Sequence, residues 1–128
     1  MRIVDEIADL MNKYGLSVEK KRNTVKRTHE ELPISLVVKV QSSRKSAVIE
    51  LKPEEDLLDS LADLAESGED IEEIVDGVLA ELRDVAIEVS RCLENTGYKA
   101  VLKIREGERD VRDHLEEVLE EYSIFEEE

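Results

Sequence analysis

Between Asp70 and Asn95 the apolar residues recur at a spacing that only a long helix satisfies. At 100° per residue, Ile71, Ile74, Val75, Val78, Leu79, Leu82, Val85, Ala86, Val89 and Leu93 fall within an arc of roughly 140°. Glu72, Glu73, Asp76, Glu81, Asp84, Glu88, Arg91 and Glu94 lie outside it. Asp70 is placed to cap the first amides, with Glu73 three residues on, and Asn95-Thr96-Gly97 suits the left-handed turn that ends a helix. Such a helix is roughly 39 Å long at about 1.5 Å per residue, more than one side of a small sheet needs. Ala80 and Ile87 fall on its outward side, so they are the candidate contacts of a homodimer.

The flanking stretches are shorter. Ile3, Val4, Ile7, Ala8, Leu10, Met11 and Tyr14 predict a first helix, stopped by Gly15, with Leu16 folding back on it. Ser17 to His29 reads as one polar, extended edge strand. Glu30–Pro33 turns the chain into the clearest strand, Ile34–Gln41. Ser42–Lys45 closes a hairpin, and Ala47, Ile49 and Leu51 alternate on the return. A helix from Pro53 ends at Ser67-Gly68. After the long helix, Tyr98, Ala100, Leu102 and Ile104 mark a half-buried strand ended by Glu106-Gly107-Glu108, and a last helix starts near Asp110. The expected fold is α+β in the order α-β-β-β-α-α-β-α, an antiparallel sheet of about four strands covered by helices. Residues 1–128 read as one domain with a solvated acidic end at 126–128.

Charge narrows the function classes. Residues 1–53 carry 11 Lys/Arg against 7 Asp/Glu, or +4, and residues 54–128 carry 7 against 26, or −19, which sum to the net −15. The acidic half would repel nucleic-acid phosphates. No apolar run approaches the roughly 20 residues of a membrane span, and Met1–Glu6 lacks signal-peptide character, so a cytoplasmic protein is expected. One Gln and three Asn among abundant ion-pairing residues suit a thermophilic chain.

Catalytic material is sparse. His114 has Asp110, Asp113 and Glu117 nearby on one helix, but the acids also suit a helix N-terminus. Cys92, the single cysteine, sits near a helix C-terminus, where the dipole disfavours a thiolate. The five glycines are scattered, so there is no phosphate-binding loop. Neither catalytic residues, a metal nor a cofactor are expected. The feature with most content is basic. If the strands on either side of Glu30–Pro33 pair, residue 20 falls opposite about residue 42, which brings Lys20, Lys21 and Arg22 near Arg44 and Lys45 as a possible anion or partner contact. The bland alternative is a charged edge that blocks aggregation.

The element order resembles small chaperone-like α+β domains in outline, and no residue role is carried over from them. The expected function is a noncatalytic protein–protein interaction or chaperone-like domain whose partner is its own copy or another protein. The alternatives are a nucleic-acid or phospholigand accessory protein using the basic end, and a structural protein without a ligand.

Overall fold

Alternation along Ile34–Gln41 builds the centre of the sheet, because every second side chain there is aliphatic and has a helix to pack against. The computed structural model describes residues 2–12 and 17–126, and the side chains of all of these except 17 and 122–126. The order is α1 (Arg2–Asn12), β1 (Ser17–Lys21), β2 (Thr24–Thr28), β3 (Ile34–Gln41), a 3-10 turn (Ser42–Arg44), β4 (Ser46–Pro53), α2 (Leu57–Glu66), α3 (Ile71–Asn95), β5 (Lys99–Lys103) and α4 (Arg105–Glu126). The expected stop at Gly15, the fold-back of Leu16, the packing of Tyr14 and Tyr122, and the solvated end at 126–128 fall outside the described side chains.

The fold is α+β, with one mixed sheet of order β1-β2-β3-β4-β5. Strands β1 to β4 form an antiparallel meander, whereas β5 pairs with β4 in parallel. A parallel partner cannot be reached through a tight turn, and α2 and α3 supply the crossover. The sheet gains a strand because residues 17–29 fold as a hairpin rather than one ribbon. Lys21 faces Thr24, and Arg22 takes φ 36° in the turn between them. Register places Val25, Leu36, Val38, Val40, Ala47, Ile49 and Leu51 on the face covered by helices. Lys26, Val37, Lys39 and Glu50 lie on the other face, with Val101 and Lys103 of β5.

Helix α3 buries the expected stripe, from Ile71 through Leu82 to Leu93, and has the expected bounds. The Glu73 amide donates to Asp70 Oδ1 at 3.2 Å, so the predicted cap is present. At the other end, Tyr98 N–H donates to the Leu93 carbonyl at 2.9 Å and Gly97 N–H to that of Glu94 at 3.1 Å. Gly97 at φ 87° makes that closing turn possible. Gly77, inside α3, has a different character. It is exposed, and a methyl group there would meet nothing within 4 Å. Gly77→Ala should therefore stabilise the protein by about 0.5–1 kcal/mol through helix propensity alone, read as a raised denaturation midpoint.

Helix α4 starts at Arg105, five residues earlier than the sequence pattern suggested. Gly107 is therefore not a strand stop: it lies in the first turn of the helix, buried against β4. Val111, Leu115 and Val118 continue that contact into the core.

Candidate protein-binding site

Imidazole chemistry depends on a ring nitrogen being open, and in His29 both are engaged. The Glu31 amide donates to Nδ1 at 3.0 Å, which leaves the proton on Nε2, and Nε2–H donates to Glu81 Oε2 at 2.5 Å. The ring is buried while the Glu81 side chain is exposed. His29 thus pins the 29–33 turn to the middle of α3. His29→Ala should cost about 1–3 kcal/mol, since it leaves the Glu31 amide and a cavity behind, and chemical denaturation would measure it. The second histidine, His114, is bonded to the backbone carbonyl of Asp110 at 2.6 Å and not to its carboxylate. Burial, with Glu6 nearby, pushes the Cys92 thiol up, against the direction a nucleophile needs. Among the described residues no three His, Cys, Asp or Glu side chains are placed to hold a metal ion.

The basic residues are divided by the strand alternation. Lys20 shares a face with Val25, and its ammonium is hydrogen-bonded to Asp5 of α1. That contact raises the lysine and lowers the carboxyl. Lys26 is paired with Glu54 at 2.7 Å. Arg27 is not part of a basic surface: it faces Leu36 on the core side and is fully buried. Desolvation pulls its guanidinium down to about 10, opposed by Glu30, so it stays cationic near neutrality. Lys21, Arg22, Arg44 and Lys45 are exposed. They do share one end of the sheet, because Val40 N–H donates to the Asn23 carbonyl beside the first turn and Lys99 N–H to Lys45 beside the second. The two turns are about two strand spacings, or 10 Å, apart.

An apolar surface lies along the opposite edge from β1. Leu102 belongs to the face that the helices cover, since it is paired with Ile49, yet it is 44% exposed. The α3 residue beside it, Ile87, is 37% exposed. Together they line a groove of about 780 Å³ that continues to Ile104. Its walls are Arg83, held through Nε and Nη2 by Glu108 at 2.9–3.1 Å, and Arg105. Ala80, also exposed, lies further along the outward side of α3.

Backbone groups complete the site. Since Lys99 N–H is donated to the Lys45 carbonyl at the start of β4, the alternation along a strand turns the amides and carbonyls of Ala100 and Leu102 away from β4. Among the described residues no strand lies beyond β5. Sequence reasoning placed Leu102 on a half-buried face and overlooked this edge. One signal was present: five of the seven cations in 54–128, namely Lys99, Lys103, Arg105, Arg109 and Arg112, lie within 99–112.

Compared with known proteins, the chain matches no family model, no curated protein and no solved structure.

Proposed function

We propose that this chain is a noncatalytic protein-binding module whose working surface is the β5 edge and the groove between β5 and α3. The observation that carries the reading is the coincidence of two exposed aliphatic side chains, Ile87 and Leu102, with a strand that has no outer neighbour strand among the described residues. An exposed apolar pair alone is ordinary surface. Beside an open edge it supplies both main-chain pairing and a side-chain pocket, as strand addition requires.

The test is a tagged chain expressed in its native source, compared with Leu102→Asp, Ile87→Asp and the triple variant Lys20→Glu, Arg22→Glu, Arg44→Glu. A protein that co-purifies with the wild type should be retained by the triple variant and lost from both groove variants. Retention by the groove variants with loss from the triple variant would contradict the reading.

Two other uses have observations behind them. Lys21, Arg22, Arg44 and Lys45 form an exposed basic end, which favours a small phosphorylated ligand over duplex nucleic acid, given the net charge of −15. Self-association would cover Ala80 and Ile87 on α3. Light scattering at micromolar concentration decides the second: a mass near the chain's 14.6 kDa would remove the dimer.

A further inference from the structure

Building on the strand-addition reading, we infer that the β5 edge selects an extended segment in which acidic and apolar residues alternate. The two faces of β5 differ in character. On the covered face it offers Ala100 and Leu102, with Ile87 of α3 alongside. On the open face of the sheet it offers Lys99, Val101 and Lys103. Neither Lys99 nor Lys103 makes an ion pair among the described residues, whereas Lys39 and Lys52 of the interior strands are taken by Glu50. Arg105 adds a positive charge at the end of the strand, and the acidic residues there are Glu106 and Glu108, the latter paired with Arg83.

An added strand must alternate in phase with β5. Its residues beside Ala100 and Leu102 would point into the groove and need to be apolar. Those beside Lys99 and Lys103 would lie on the open face, where a carboxylate gains from the facing cation. The matching pattern is acidic, apolar, any, apolar, acidic.

The same lysines argue against a second copy of β5. A two-fold antiparallel pairing centred on Val101 would set Lys99 of each copy against Lys103 of the other, and like charges directly opposite one another destabilise a ladder.

The experiment is an NMR titration of the isotopically labelled protein with two blocked heptapeptides, Ser-Glu-Val-Thr-Val-Glu-Ser and Ser-Lys-Val-Thr-Val-Lys-Ser. The acidic peptide should shift the amides of Ala100, Leu102 and Ile87 and bind at least about tenfold more tightly than the basic one. The exposed pair Lys99→Glu, Lys103→Glu should reverse that order. Equal or tighter binding of the basic peptide would overturn the inference and leave strand addition standing. If neither peptide shifts β5 while Leu102→Asp still abolishes capture of the native partner, the surface binds something other than an extended acidic strand, and the inference again fails. A concentration-dependent dimer that Leu102→Asp dissolves would name a second copy as the occupant and overturn it too.

Discussion

Gly107→Ala should cost the fold about 3 kcal/mol, enough to shift a thermal midpoint by several degrees. A Cβ at this position would lie 1.7 Å from the Leu51 carbonyl oxygen and 2.5 Å from its carbon. Those atoms belong to the backbone of β4, so no rotamer change relieves the overlap. The first turn of α4 would have to move away from the sheet, and Val111, Leu115 and Val118 would lose part of their packing with it. Equilibrium urea unfolding measures the loss. A cost below about 1 kcal/mol would mean that α4 does not approach β4 this closely.

Leu82→Ala should destabilise by about 2–5 kcal/mol, the usual cost of emptying a filled aliphatic site. Leu82 is fully buried at the middle of α3 and belongs to the continuous core that includes Leu36, Ile49 and Leu61. With so few aromatics in the chain, that core is held by many small aliphatic contributions. The same unfolding measurement applies, with Gly77→Ala as the stabilising counterpart from the exposed side of the helix.

The parts of the fold legible in the sequence are those in which one period dominates. Helix α3 was readable end to end because its stripe, cap and closing turn agree with one another. Strands β3 and β4 were readable because apolar residues alternate there. The hairpin at Arg22-Asn23 was not, since it lacks the glycine that usually marks a two-residue turn, and both of its arms are polar. Gly107 misled in the opposite way. A glycine between two glutamates resembles a break, and only the approach of β4 explains it. Arg27 shows why a charge run is a poor guide to a surface: parity with Val25 puts it in the core, while Lys26 beside it faces outward.

The candidate site was legible in pieces. Ile87 stood out as an apolar residue on the polar side of α3, and it does line the groove. Leu102 did not, because alternation assigns it to the covered face and says nothing of how far the covering helix reaches. The basic end was anticipated as a place. Lys20, however, is engaged with α1, so the expected group of five is not a uniform free surface.

The proposed function requires that the outer edge of β5 be open and take up another strand. Residue-resolved amide hydrogen exchange tests it directly. In the isolated protein, Ala100 and Leu102 should exchange fast while Val101, bonded to β4, is protected, and on saturation with the acidic heptapeptide Ala100 and Leu102 should slow towards the rate of Val101. Protection of Ala100 and Leu102 already in the dilute free protein, or exchange there that the bound peptide leaves unchanged, would contradict it.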